Sequence, residues 1–223
     1  MAELISGLRA ERVRANLARI RAQLDEAATR SGRGAGAVEI LAATKYVTTD
    51  ELPVLAQGGV RVVGENRAQD LEAKIAAHGE LFEWDFIGAL QSRRVRAIVP
   101  HVRLIHSVAS DSALRELERH RERWRPGLRI LIEVNVAGEE GKAGVRPDEL
   151  ASFIARATAP VAGLMTMPPL TRNPEDSRMW FARLHELARE HSLEHLSMGT
   201  SQDYLVAAQE GATIVRIGTI LYS

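Results

Sequence analysis

Cysteine is absent from this chain of 223 residues, and its absence removes several kinds of chemistry at once. The chain can form no disulfide, no thiolate nucleophile and no zinc–thiolate site, which is compatible with a reducing compartment. An excess of charge of one sign is also missing, because 29 basic and 29 acidic residues cancel. Nucleic-acid binders usually carry a basic surface. We therefore expect no nucleic-acid partner.

Long apolar runs are missing too. No run approaches the roughly 20 apolar residues of a membrane span, and the first segment, MAELISGLRAERVRANLARI, is too charged for a signal-peptide core. We expect a cytoplasmic protein that has no membrane partner and is a monomer. With 45% hydrophobic residues, the chain can build one sizeable core, so we treat residues 1–223 as a single domain.

The pattern of apolar residues predicts the fold class. Helical spacing from Ala2 to about Arg30 predicts a long amphipathic helix within residues 1–31. Over residues 38–220, eight short apolar runs alternate with helix-like stretches: VEILAAT, VRVVGE, WDFIGAL, VRLIHSV, RILIEVNV, VAGLMTM, HLSMG and TIVRIG. Eight such units predict an α/β protein, a single (β/α)8 TIM barrel with an extra N-terminal helix. Because almost nothing follows the last run, we expect that helix to cover the gap between the last and first strands. An open doubly wound sheet is the alternative.

The last two strand ends predict an anion site. SMGTSQD supplies Ser197, Thr200 and Ser201 around Gly199, and RIGT supplies Gly218 and Thr219. Glycines allow backbone N–H groups to approach a ligand, and the loops after strands seven and eight of such barrels often bind phosphate. The other interpretation is that these residues are helix caps and turns.

Lys45 ends the first run, on the same predicted face. Alone it is either an exposed strand-end charge or a reactive amine. Together with a phosphate site, it indicates a Schiff base with the aldehyde of pyridoxal 5'-phosphate (PLP). Arg216, beside the phosphate site, is a candidate ligand contact or an ordinary ion pair at the rim. We expect no metal, because His185, His191 and His195 lack the order HExxH and further ligands.

Seven motifs, in order, resemble the PLP homeostasis protein family, which is similar to the N-terminal barrel of alanine racemase. They are LAATKYV, GENRAQD, WDFIGALQS, VNVAGEEGKAG, GLMTM, LSMGTSQDY and VRIGT, and they run from about Val38 to Ile220. The resemblance implies a barrel that binds PLP and takes part in PLP homeostasis.

The resemblance also implies roles for individual residues. Lys45 carries PLP as an internal aldimine, and Asn66 lies near the cofactor ring. Ser201 contacts the phosphate, with Ser197 nearby. The site is completed by Arg216, Gly218 and Thr219.

This sequence departs from the family pattern at a few positions. Asp85 stands where histidine is frequent, and Thr200 replaces a common methionine. Ala137 and Gly141 replace hydroxyl residues in the loop that carries Lys142. We expect some rim geometry to differ, and Lys142 is either a solvated loop charge or an amine that briefly holds PLP during transfer.

Catalysis needs more than an attached cofactor. A racemase uses a lysine and a second base, which alanine racemase takes as a tyrosine from another domain and subunit. Tyr46, Tyr204 and Tyr222 offer no evident replacement. We therefore expect a non-catalytic protein that buffers PLP or delivers it to apo-enzymes that depend on it. The alternatives are a weak amino-acid racemase or transaminase, and a PLP-free enzyme that acts on a sugar phosphate.

Overall fold

A computed structural model describes residues 4–223 as a closed barrel of eight parallel strands. Each strand pairs with the next along the chain, and β8 pairs with β1 to close the barrel. The prediction of a (β/α)8 barrel is confirmed. The strands are β1 (Glu39–Ala43), β2 (Val62–Glu65), β3 (Glu83–Phe86), β4 (Leu104–Val108), β5 (Arg129–Glu133), β6 (Val161–Met165), β7 (His195–Thr200) and β8 (Ile214–Ile217).

The α-helices precede, connect and follow these strands. They are α1 (Ala10–Arg30), α2 (Leu52–Gln57), α3 (Ala68–His78), α4 (Val95–Ile98), α5 (Asp111–Arg119), α6 (Leu150–Arg156), α7 (Arg178–Glu190), α8 (Tyr204–Gln209) and α9 (Thr219–Tyr222). Within residues 4–223, no helix combines the length and apolar character needed to cross a membrane.

Helix α1 packs where the sequence pattern places it. Its Asn16 Nδ2 donates to the carbonyls of Leu221 (3.2 Å) and Ser223 (2.7 Å) at the end of the chain. On the other side, Arg14 Nη2 donates to the carbonyl of Gln57 (2.7 Å), at the end of α2. The helix therefore fills the space between the last and first β/α units.

The start of α1 differs from the prediction. The helix begins at Ala10, and the expected start at Ala2 lies outside the described residues. Gly7 has a φ of +72°, which interrupts a helix, and Ile5 instead forms a parallel bridge with Val47. The Glu51 carboxylate accepts the N–H groups of Gly7 (2.5 Å) and Leu8 (3.1 Å), so this extended segment is tied to the barrel.

The barrel interior has two layers of different chemistry. Side chains alternate in direction along a strand, so residues two apart face the same side. One layer is apolar and consists of Leu41, Val62, Leu104, Leu131, Met165 and Ile214. Two residues further along β4 and β8 are His106 and Arg216, so the layer nearer the strand C-termini is polar. Function in such barrels is carried at that end.

Candidate functional site

A cavity of about 390 Å³, here called the mouth cavity, opens at the C-terminal ends of the strands. Its lining includes most of the residues that the sequence singled out: Lys45, Asn66, Ser201, Arg216, Gly218 and Thr219. These residues come from the ends of β1, β2, β7 and β8. The closed barrel thus brings distant motifs to one concave surface.

Lys45 is exposed at the end of β1, and its Nζ lies 4.8 Å from the centroid of the Tyr46 ring. A second cavity, of about 620 Å³, shares Lys45, Tyr46 and Asn66 with the mouth cavity. Lys45 therefore lies where the two cavities adjoin.

The backbone under Lys45 is held by three residues that we call the Lys74 cluster: Thr44, Glu65 and Lys74. All three are buried. Lys74 Nζ donates to Glu65 Oε1 (2.5 Å) and to the carbonyl of Thr44 (2.8 Å), and Thr44 Oγ1 donates to Glu65 Oε1 (2.6 Å). The residue before Lys45 is thus anchored through both its side chain and its carbonyl. Neither Glu65 nor Lys74 was predicted from the sequence, although Glu65 belongs to the GEN motif.

Asn66 has an unused acceptor beside the cavity. Its Oδ1 is buried, and within residues 4–223 it has no hydrogen-bond partner. A Cβ added to Gly88 would come within 2.0 Å of the Asn66 carbonyl oxygen, so a glycine is required there for Asn66 to keep its place. Because an unpaired buried acceptor costs free energy, Asn66 fits a site whose ligand supplies a donor.

The loops after β7 and β8 form a surface that can accommodate an anion. The N–H of Gly218 donates to Ser201 Oγ (3.1 Å), and a Cβ added to Gly218 would meet no atom within 4 Å. Gly199 has a φ of +91°, a conformation that favours glycine. The hydroxyl of Thr200, which we expected in the anion site, instead donates to Asp203 Oδ1 (3.1 Å) and holds this loop.

Arg216 is buried, and most of its donors are already used. Nη1 donates to the carbonyl (2.8 Å) and Oγ (2.5 Å) of Ser197, and Nη2 donates to the carbonyl of Thr166 (2.9 Å) and to Met167 Sδ (2.9 Å). Burial lowers the pKa of Arg216 to about 10, so the guanidinium remains charged at neutral pH. The remaining N–H, on Nε, has no hydrogen-bond partner among residues 4–223, and the Nε atom is not fully buried.

Ser197, although predicted as a site residue, does not line the mouth cavity. It is fully buried, and its Oγ lies 2.8 Å from His106 Nδ1. His106 Nε2 lies 3.1 Å from Asp85 Oδ2. Asp85, His106 and Ser197, here called the His106 relay, continue from Arg216 into the barrel interior. Asp85 in turn pairs with Arg103, whose Nε donates to Oδ1 (2.9 Å).

Lys142 and Tyr222 also have defined contacts. Lys142 forms an ion pair with Glu139 and is not among the residues that line the mouth cavity. Tyr222 lines the cavity, and its hydroxyl donates to the carbonyl of Ala43 (3.0 Å). Burial raises the pKa of Tyr222 above its ordinary value, so its hydroxyl keeps its proton.

Comparison with known proteins shows which family the chain belongs to. The family model described as "Alanine racemase, N-terminal domain" matches residues 10–223, which defines the class of barrel. The chain is 41% identical to the pyridoxal phosphate homeostasis protein of Aquifex aeolicus over 217 residues, covering 92% of this chain and 95% of that protein. It is 36% identical to the protein of that name from Pseudomonas aeruginosa over 215 residues, with 93% of each chain covered.

A solved structure gives a similar result. PipY of Synechococcus elongatus, determined with PLP bound, superposes with a TM-score of 0.78 at 29% identity, covering 95% of this chain and all of that one. The chain therefore belongs to the pyridoxal phosphate homeostasis protein family, within the class of alanine racemase N-terminal barrels. The names of these two relatives describe homeostasis rather than an enzymatic reaction.

Proposed function

We propose that this chain binds PLP in the mouth cavity through a covalent bond between Lys45 Nζ and the aldehyde carbon, and that it buffers and delivers the cofactor without catalysis. The observation that carries the proposal is the convergence of Lys45, Ser201, Arg216 and Gly218 on one cavity. PLP carries an aldehyde, a phosphate and a ring nitrogen, and this lining offers a partner for each.

The two ends of the cofactor have different requirements. The aldehyde condenses with a primary amine with loss of water, and Lys45 is the amine on this surface. The phosphate needs several hydrogen-bond donors and space for close approach. Ser201, Gly218 and Thr219 supply a hydroxyl, an open glycine surface and a second hydroxyl. Asn66, with its unpaired acceptor, would lie beside the ring.

Arg216 suits the ring nitrogen better than the phosphate. Four of its five N–H groups are already used by Ser197, Thr166 and Met167, so a bidentate phosphate contact is not available. A single Nε–H matches a single lone pair. When bound, PLP supplies an electron-withdrawing ring, and a charged arginine at the nitrogen disfavours its protonation and weakens that effect. This assignment supports binding without turnover.

The tyrosines support the same conclusion. Tyr222 donates to a backbone carbonyl, and Tyr204 donates to Gln23 Oε1 (2.7 Å), where it anchors α1. The Tyr46 ring lies beside the Lys45 amine, on the side of the site that Lys45 already occupies.

Titration of the purified protein with PLP, followed by absorbance, tests the proposal. We expect a yellow complex with a new absorbance band in the visible range, which Lys45→Ala abolishes and Lys142→Ala retains. A colourless protein, or an unchanged band in Lys45→Ala, would contradict covalent attachment at Lys45. A colourless protein that binds sugar phosphates would favour the PLP-free enzyme.

The absence of catalysis requires its own assay. A panel of L-amino acids is incubated with the PLP complex, and chiral chromatography measures the D-isomers. We expect no racemisation above that of free PLP. Racemisation that is lost in Lys45→Ala would establish the weak-enzyme alternative instead.

Delivery is tested with an apo-enzyme that depends on PLP. We expect the complex to restore activity to the apo-enzyme. No restoration over several hours would leave storage as the function. The monomeric state and the cytoplasmic location stay predictions from the sequence.

A further inference from the structure

The hydrogen bonds of the His106 relay have a single consistent direction. Asp85 accepts from Arg103 at both of its oxygens, at 2.9 Å from Nε and 3.1 Å from Nη2, so it is a carboxylate and an acceptor. His106 Nε2 must then carry the proton that Asp85 accepts, which leaves Nδ1 as an acceptor. The Ser197 hydroxyl donates to Nδ1, and its lone pairs accept from Arg216 Nη1.

The relay is sealed from solvent. Asp85, His106 and Ser197 are exposed by 0%, 0% and 0% of their surfaces. The pKa of His106 is lowered, mainly by burial. Asp85 acts to raise this pKa, whereas the nearby charges of Arg216 and Arg103 lower it further. The histidine is therefore neutral. None of the three residues can touch a molecule in the cavity, so any effect on a ligand must pass through Arg216.

From this geometry we propose that Asp85 and His106 are positioning residues, which lock the Ser197 hydroxyl as an acceptor and so fix Arg216 with its Nε–H toward the cavity. The inference rests on the proposed function and deepens it. The relay makes the site selective for a ligand that presents one unprotonated ring nitrogen to Arg216. A hydroxyl free to rotate would offer its hydrogen to the guanidinium and loosen it.

A pair of ligands isolates this effect from general stability. PLP and 1-deazapyridoxal 5'-phosphate differ only in a C–H that replaces the ring nitrogen. We expect wild type to bind PLP about tenfold or more tightly than the deaza analogue, since a hydrogen bond from a charged donor is of that strength. In His106→Leu the preference is expected to fall to about threefold or less.

Three further variants complete the test. His106→Asn keeps an acceptor near Ser197 and is expected to retain most of the preference. Asp85→Asn removes the charge that fixes the histidine tautomer, so it is expected to lower the preference, and it carries the test if His106→Leu does not fold. His195→Leu is the matched control, because His195 is bound to Arg129 at the opposite end of the barrel, and it is expected to keep the wild-type ratio.

The outcomes separate the two proposals. If wild type binds neither ligand, the proposed function fails, and this inference fails with it. If wild type binds both equally, or if His106→Leu and Asp85→Asn keep the wild-type ratio, PLP binding stands and the positioning role is overturned.

Discussion

The two halves of the mouth cavity are supported by buried polar groups of different kinds. Under Lys45, the Lys74 cluster joins an ammonium to a carboxylate and holds the backbone of Thr44. Under Arg216, the His106 relay uses a neutral imidazole and a hydroxyl, and it holds a side chain. The difference fits the roles that we propose. A Lys45 amine that bonds to PLP would need a fixed backbone and a free side chain, whereas an Arg216 guanidinium that contacts the ring nitrogen would itself have to be rigid.

The largest effect is expected from breaking the buried ion pair. Lys74→Met leaves the Glu65 carboxylate buried without its main partner, and we expect a loss of about 3–5 kcal/mol in the free energy of unfolding, measured with urea. Lys142→Met is the matched control, because the Lys142–Glu139 pair is partly exposed, and it should cost about 1 kcal/mol or less. The double variant Lys74→Met/Glu65→Met should recover much of the loss. If Lys74→Met and Lys142→Met lower the free energy of unfolding by the same small amount, the Lys74 cluster does not stabilise the fold.

A smaller loss is expected on the other side. Ser197→Ala removes one oxygen atom and leaves His106 Nδ1 and an N–H of Arg216 unpaired. We expect the free energy of unfolding to fall by about 1–3 kcal/mol, because buried polar groups without partners are costly. Ser152→Ala, at an exposed position of α6 outside both clusters, controls for the loss of a hydroxyl. A Ser197→Ala variant as stable as wild type would mean that water replaces the hydroxyl.

The pH dependence of stability gives a weaker but specific signal. Burial lowers the pKa of His106 in the folded chain, so below the ordinary histidine pKa of about 6.5 the unfolded chain takes up a proton that the folded chain does not. The free energy of unfolding is therefore expected to fall as the pH drops from 7 toward 5. In His106→Leu this fall should be smaller, measured by urea unfolding at each pH. Parallel curves for the two proteins would show that His106 does not cause the pH dependence of the free energy of unfolding.

The smallest effect is expected at Lys142. It is paired with Glu139 and lies outside the lining of the mouth cavity. We therefore expect Lys142→Ala to transfer PLP to an apo-enzyme at the wild-type rate. A clearly slower transfer, with unchanged affinity for PLP, would support a direct role of this amine in delivery.

Much of the site could be predicted because parallel strands place their C-terminal ends together. Lys45, Ser201 and Arg216 each follow or end a recognisable strand, so local patterns were enough to bring them to one face. Gly218 and Thr219 follow β8 for the same reason. The start of α1 was harder to predict from the sequence, because Leu4 and Leu8 keep the helical spacing of apolar residues while Gly7 interrupts the helix.

The supports under the site could not be predicted. Ser197 lies close to Ser201 in sequence, but it is within β7 and its side chain lies under the cavity. There its hydroxyl forms hydrogen bonds with Arg216 and His106. Glu65 on β2 forms an ion pair with Lys74 on α3. Asp85 on β3 forms a hydrogen bond with His106 on the neighbouring strand β4. Such pairs depend on barrel closure and side-chain direction, which a local sequence pattern does not contain.

Covalent attachment of PLP to Lys45 can be measured by reduction of the PLP complex with borohydride, followed by peptide mapping by mass spectrometry. We expect the reduced pyridoxyl phosphate group on the peptide that contains Lys45. A modified Lys142 or Lys74 with Lys45 unmodified, or a protein that holds PLP with no lysine modified, would contradict it.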